Sequence, residues 1–295
     1  MSENANQDSS SSLSLSWHGR TDVGRFRKNN EDAFLALTFD AREVRYLGKD
    51  GSAPMDGGDF IFAVSDGMGG AKAGEFASKI AVDKITDLIR KTFSLAAMGI
   101  DRGCTQILGE LFSRIHTEMV TMGIHYEECR GMGATLSLCW FIPDRMYFAH
   151  VGDSRIYYLP KDEEMRQLTH DHTHVGHLVR QGKISKFEAK TRPDRNILNQ
   201  ALGGNIQKLD PQIGSVDYLP GDRFALCTDG VTDSISDRRI HTLINSSPSN
   251  LAKLSPAERI IKDSKDESGR DNLTAITIEI ASTLPACNSG EEVNR

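Results

Sequence analysis

The chain has 295 residues, of which 38% are hydrophobic and 26% charged; these are globular proportions, and they exclude wholesale disorder and collagen-like structure. With 35 basic against 41 acidic residues the formal charge is −6, which argues against nonspecific nucleic-acid binding. No apolar run approaches the roughly 18 residues of a membrane span, and the polar N-terminus lacks a basic-then-apolar leader, so a soluble cytoplasmic protein is expected.

The first dozen or so residues, ending in SSSSLSLS, read as a loose polar tail, with the domain taken to span 14–281 and a second tail 282–295. Glu31-Asp32 precedes the apolar run Phe34-Leu35-Ala36-Leu37. Between Asp40 and Asp59 lies a polar, Gly-rich stretch, read as a long hairpin on the solvent side. Phe60 to Val64 is a short apolar run closed by Ser65-Asp66-Gly67, as a buried strand ending in a turn would be.

Phe76, Ile80, Ala81, Ile85, Leu88 and Ile89 mark a helix. Ile107, Leu108, Leu111, Phe112, Ile115, Met119 and Met122 mark a second, more regular one. Runs at Ala134 to Phe141, Met146 to Val151 and Arg155 to Leu159, with turn residues between, predict an antiparallel meander. A strand at Arg223 to Thr228 follows. Ser255-Pro256-Ala257-Glu258 is a capping box with Pro at the first helical position, opening a helix that should stop before Gly269. Leu273 to Ile280 closes the domain, with Ile276, Ile278 and Ile280 on one face. Consecutive helices between groups of strands predict an α+β domain with antiparallel sheets. The five cysteines are scattered without a CxxC pair, which fits reduced thiols better than a disulfide framework or zinc site.

Carboxylates recur at the strand edges. Glu31-Asp32, Asp66-Gly67, Asp153, Asp229-Gly230 and Asp271-Asn272 each adjoin an apolar run. Any one of them alone is more often a solvated turn residue. Together they could converge at one end of a sandwich, and an oxygen-rich cluster suits Mg²⁺ or Mn²⁺ rather than zinc.

Six segments in order carry a resemblance. Thr21-Asp22-Val23-Gly24-Arg25-Phe26-Arg27-Lys28-Asn29-Asn30-Glu31-Asp32 resembles the opening motif of the metal-dependent protein phosphatases (the PPM, or PP2C-type, Ser/Thr phosphatases). Ser65-Asp66-Gly67-Met68-Gly69-Gly70, Gly131-Met132-Gly133-Ala134-Thr135, Gly152-Asp153-Ser154-Arg155, Thr228-Asp229-Gly230-Val231-Thr232-Asp233 and Arg270-Asp271-Asn272-Leu273-Thr274 resemble its later motifs. The match runs from about Leu15 to Ile280.

The resemblance implies a four-layer α-β-β-α sandwich with a binuclear Mn²⁺ or Mg²⁺ centre at one end. Asp66 would bridge the two ions and the Gly67 carbonyl would ligate one. Glu31, Asp229 and Asp271 would complete the other, and Asp32 would hold waters on the ions. Asp153, Asp229 and Asp233 match the ligands of the third ion of bacterial members, and Arg27 matches the arginine that clamps substrate phosphate. The implied activity is hydrolysis of phosphoserine and phosphothreonine in proteins by water activated on the metals, which needs no protein nucleophile. The implied partners are phosphorylated proteins and an opposing Ser/Thr kinase, with a secretion-system regulatory circuit as one setting; nucleic acid, membrane and a second subunit are not expected. A non-catalytic phosphoprotein-binding module of the same fold and a small-metabolite phosphatase are the competing readings.

Two departures stand out. Family members often carry His directly after the second motif's Asp-Gly or after its Gly-Gly, where this chain has Met68 and Ala71, so the general acid is unassigned. The His-rich Thr169 to His177 stretch resembles the segment leading into the family's flap more than a zinc site. His172 is a substrate-side candidate there, and Arg192 stands where relatives carry His before Pro.

Overall fold

The computed structural model describes residues 12–283, apart from positions 70, 98–102, 205, 207 and 247–250. In chain order come β1 (Ser12–Asp22), β2 (Asp32–Phe39), β3 (Val44–Tyr46), β4 (Asp50–Pro54) and β5 (Asp59–Met68), then the long helices α1 (Ala71–Ala97) and α2 (Cys104–His125). Next are β6 (Gly133–Ala134), β7 (Leu136–Ile142), β8 (Arg145–Val151), β9 (Arg155–Leu159), β10 (Arg166–Gln167), α3 (His174–Arg180) and α4 (Lys186–Thr191). β11 (Leu202–Gly203), β12 (Gln212–Asp217), β13 (Arg223–Cys227), α5 (Asp229–Ser234), α6 (Asp237–Asn245), α7 (Pro256–Glu267) and β14 (Leu273–Thr283) complete it.

One antiparallel sheet runs β10-β9-β13-β14-β1-β4. In the other, β3, β2, β5, β7, β8 and β12 lie side by side, with β6 and β11 extending it beyond the end of β5. Successive strand residues face opposite ways, which explains why Phe60 to Val64 is apolar throughout. Phe60, Phe62 and Val64 fill the space between the sheets with Phe141, Phe224, Ile276 and Ile278. Ile61 and Ala63 face the other way and pack with Ile85, Phe112 and Ile115 of α1 and α2. On the far side Ala225, Cys227 and Ala275 pack with Ile240, Leu243 and Ile260 of α6 and α7. The Phe141 and Phe224 rings meet edge-on at 5.1 Å across the middle layer, a contact worth roughly 0.5–1.5 kcal/mol beyond its area. The α+β sandwich of four layers is therefore the observed architecture.

Three local expectations fail. The Ser-rich start is not a tail from Ser12 onward: Ser12 to Asp22 pairs along its whole length with β14, and Leu15 is fully buried. β14 likewise runs to Thr283, so the domain extends past 281; residues 1–11 and 284–295 lie outside the described chain. The predicted meander is broken, because β7 and β8 pair while β9 belongs to the opposite sheet, against β13. The chain changes sheets at Gly152, whose φ of +107° a side chain would resist, and a Cβ there would meet Thr135 at 2.5 Å. The Asp40–Asp59 stretch also crosses over: β3 pairs with β2 whereas β4 pairs with β1.

Candidate metal centre and active site

Antiparallel register brings the acidic motifs to one end of the sandwich. Asp32 opens β2 directly opposite Asp66 near the end of β5, and Asp22 ends β1 opposite Leu273 at the start of β14. Asp229 opens α5 just after Thr228 ends the run from β13, Asp271 precedes β14, and Asp153 lies at the crossing between β8 and β9.

Polar side chains that the acid pattern alone does not reveal fix these positions. Thr135 grips Asp66 through both backbone groups: its N–H donates to the Asp66 carbonyl at 2.8 Å and its hydroxyl accepts from the Asp66 N–H at 2.9 Å. The same hydroxyl lies 2.9 Å from the Ser154 hydroxyl, tying the second motif to the fourth. Asn272 accepts from the Glu31 N–H at 2.7 Å and donates to the carbonyls of Val23 and Asn29. Thr228 and Thr274 both donate to Asp32 Oδ2, at 2.8 and 2.7 Å. A signal was available, since all five sit within the motifs.

Gly67 is required by close approach. A Cβ there would overlap the Gly74 carbonyl of α1 and stand 3.0 Å from the Glu31 carbonyl, which accepts the Gly67 N–H at 3.1 Å.

The resulting cavity, about 490 Å³, is lined by Glu31, Asp66, Gly67, Asp153, Asp229 and Asp271, with Arg27 and Lys28 on its wall. Burial, together with the charges of Asp229, Asp32, Asp153 and Asp271, holds the Asp66 carboxyl well above the ordinary range. Asp153 is raised by burial and by Asp229, Asp171 and Asp233. Asp229 is pushed to about 6 by burial and by Asp271 and Asp233, and it shares a hydrogen bond with the Asp66 carboxyl. Asp32, 8% exposed and beside Asp66 rather than on the cavity lining, rises to about 7 mainly through burial, although its two threonine donors pull it down.

Among the predicted residues, Asp233 lies apart from the main cavity. It lines an adjoining one of about 550 Å³ with Asp153 and Asp229, and its carboxylate lies 3.4 Å from Arg195. Arg27 is half-exposed and donates to Asp271 Oδ2 at 2.8 Å, so it leans on a proposed ligand at the mouth. His172 does not line the catalytic cavity. Its Nδ1 accepts from the Gly152 N–H at 3.3 Å, its ring lies tilted against His150 with centroids 4.9 Å apart, and burial lowers it to about 4. It supports the Gly152 crossover as a neutral ring, and no histidine lines the cavity among the described residues.

The donor set fits hard divalent ions. It is all oxygen, and its members raise one another's pKa values, a repulsion that bound cations would relieve. Among the described residues the acids line a common wall without closing into a metal-sized cluster.

Residues 51–262 match the family model described as Protein phosphatase 2C. The chain belongs to the protein phosphatase 2C family. It is 32% identical over 261 residues to the serine/threonine phosphatase stp of Listeria innocua, covering 88% of this chain and 94% of that one. Protein phosphatase PhpP of Streptococcus pneumoniae is 31% identical over 264 residues, with 88% and 95% covered. The crystal structure of the Mycobacterium tuberculosis serine/threonine phosphatase PstP/Ppp superposes with a TM-score of 0.68 at 28% identity, covering 92% of this chain and 100% of that one. The PstP catalytic domain in complex with two manganese ions gives 0.66 at 28% identity, with the same coverage. The expectation of a protein phosphatase 2C fold and a metal-dependent phosphatase, drawn from the six motifs, stands.

Proposed function

We propose that the cavity hydrolyses phosphoserine and phosphothreonine esters of proteins, with Glu31, Asp66, the Gly67 carbonyl, Asp229 and Asp271 holding two Mn²⁺ or Mg²⁺ ions. Asp153, Asp229 and Asp233 would hold a third. The observation that carries this is the convergence of acids from separate motifs on one cavity with an arginine at its mouth. When bound, such ions neutralise phosphate charge and lower the pKa of water to near 7.

The chain's own residues do the rest. Arg27 offers a planar fork to phosphate oxygens and leaves Asp271 to do so. The threonine pair fixes Asp32 through Oδ2, leaving Oδ1 to orient the attacking water and accept its proton. The complete set of acids favours catalysis over a non-catalytic binding module, because such a module has no need of carboxylates that destabilise one another.

The reading extends to an opposing Ser/Thr kinase, a cytoplasmic location and action as a monomer. It is compatible with the described residues, among which no helix is long and apolar enough to cross a membrane. The decisive experiment is hydrolysis of a phosphothreonine peptide with Mn²⁺, Mg²⁺, Zn²⁺ or chelator. Turnover with Mn²⁺ or Mg²⁺ and none with chelator is expected; full turnover after exhaustive chelation would sink the reading. A small-metabolite phosphatase would instead hydrolyse phosphorylated metabolites far faster than the peptide.

A further inference from the structure

The second cavity is larger than Asp233 requires. It shares the lining residues Asp153, Asn196 and Asp229 with the catalytic cavity, so the two adjoin, and it runs from the metal end to beneath α3 and α4. Its floor there is apolar, made by Val175, Val179 and Ala189.

The charges divide along its length. At the inner end the acids other than the proposed metal ligands are already engaged. Asp171 receives two bonds from Arg155, at 2.9 and 2.7 Å, and one from Gln167. Asp237 accepts from Tyr157 at 2.9 Å and pairs with Arg155. At the outer end Lys186 and Lys190 stand one turn apart on α4, both exposed and both lining the cavity. No ion pair to either is found among the described residues. Glu188, between them, is committed to the Ser185 capping box, so it does not neutralise them. Arg180, at the end of α3, donates to the Asp171 carbonyl and adds a third positive charge to this rim.

We infer that this cavity is a substrate subsite for an anionic side chain, a carboxylate or a second phosphate, flanking the phosphorylated residue, with Lys186 and Lys190 as its specificity determinants. The inference rests on the protein-phosphatase reading above. A substrate whose phosphorylated residue sits over the acids can lay a flanking residue in the adjoining cavity, because both are open to solvent and meet at Asp153, Asn196 and Asp229. Its aliphatic stem packs on Val175, Val179 and Ala189, while its charge meets the lysines. Lysine suits this role, since a flexible ammonium accepts either anion without demanding a planar partner.

The test uses phosphothreonine peptides carrying Glu, phosphoserine, Ala or Lys at successive flanking positions, with p-nitrophenyl phosphate, too short to reach α4, as control. In the wild type an acidic residue at one position should lower KM relative to Ala. In the Lys186→Ala/Lys190→Ala double variant, loss of two exposed charge contacts should raise KM for that peptide about three- to tenfold. Turnover of p-nitrophenyl phosphate should be unchanged. Lys186→Glu/Lys190→Glu should shift the preference to the Lys-bearing peptide, which a merely structural role for α4 would not produce. The glutamate and phosphoserine arms separate the two anion sources. A wild type indifferent to flanking charge, or a preference that survives both double variants, would overturn the inference. Fluorescence anisotropy of the labelled acidic peptide reads the same contrast without turnover, so failure of catalysis on the control substrate is distinguishable from failure of the subsite.

Discussion

Thr274→Val removes one hydroxyl at nearly constant volume from a strand position that favours a β-branched side chain. In the wild type that hydroxyl donates to Asp32 Oδ2 at 2.7 Å, beside the matching bond from Thr228. A hydrogen bond to a charged group contributes about 1.5–3 kcal/mol, and each pKa unit is worth about 1.4 kcal/mol, so the Asp32 pKa should rise by about 1–2 units. Bound cations pull the absolute value below the about 7 of the metal-free fold, but the difference between wild type and variant is set by the threonine. The assay is kcat/KM for p-nitrophenyl phosphate against pH at saturating Mn²⁺. The acidic limb should move up by about 1–2 units, lowering the rate roughly 10- to 100-fold on that limb while the alkaline plateau is kept. Thr274→Ser, which retains the hydroxyl, should restore the wild-type profile. An unmoved limb in Thr274→Val, with the protein folded, would refute the role given to Asp32.

Removing and restoring metal should reveal the same electrostatics. Asp32, Asp66, Asp153 and Asp229 all have raised pKa values, so the metal-free fold holds protons that the unfolded chain has released. That stability is present below about pH 4 and is lost as pH rises through the folded values. The rise in Tm on adding Mn²⁺ should therefore grow between about pH 5.5 and 7.5; a rise independent of pH contradicts it. His150 and His172, kept neutral by burial, act on both states and cancel in that difference. Asp66→Asn and Asp229→Asn should each cut turnover about 100-fold or more while leaving the metal-free Tm equal or higher at alkaline pH, where the carboxylate replaced is charged and repelled by its neighbours; near-normal turnover with normal metal stoichiometry removes that residue from the ligand set. Arg27→Ala should raise KM and lower kcat for phosphopeptides, with Arg27→Lys rescuing only partly. Because the Arg27–Asp271 pair is exposed, metal affinity should change by no more than about threefold on its loss, checked by calorimetric Mn²⁺ titration.

The acids were legible in the sequence because each is tied to a turn at the end of an apolar run, and order along the chain distinguished them from incidental Asp-Gly turns. The layers were legible because helical and strand periods differ. What hid β1 was composition: Leu13, Leu15 and Trp17 alternate as a strand should, but serines between them read as a tail. The sheet change at Gly152 was hidden for another reason, since local pattern records that a strand ends and not which sheet the next one joins. Asp32's threonine donors, just after the end of β13 and at the start of β14, are distant from it in sequence, so their convergence depends on tertiary packing.

The pairing of β1 with β14 has a consequence for biosynthesis. The Glu31 N–H donates its hydrogen bond to Asn272, 241 residues further along, and the strand on which the first motif begins has β14 as its central neighbour. A ribosome that has made the first, second and fifth motifs has thus made a chain with no closed site. Contacts of such long range also form late and slowly. The nascent polypeptide should remain inert toward phosphoproteins, and unable to retain manganese, until β14 has emerged and docked. Activity then appears at once, as a property of the finished fold.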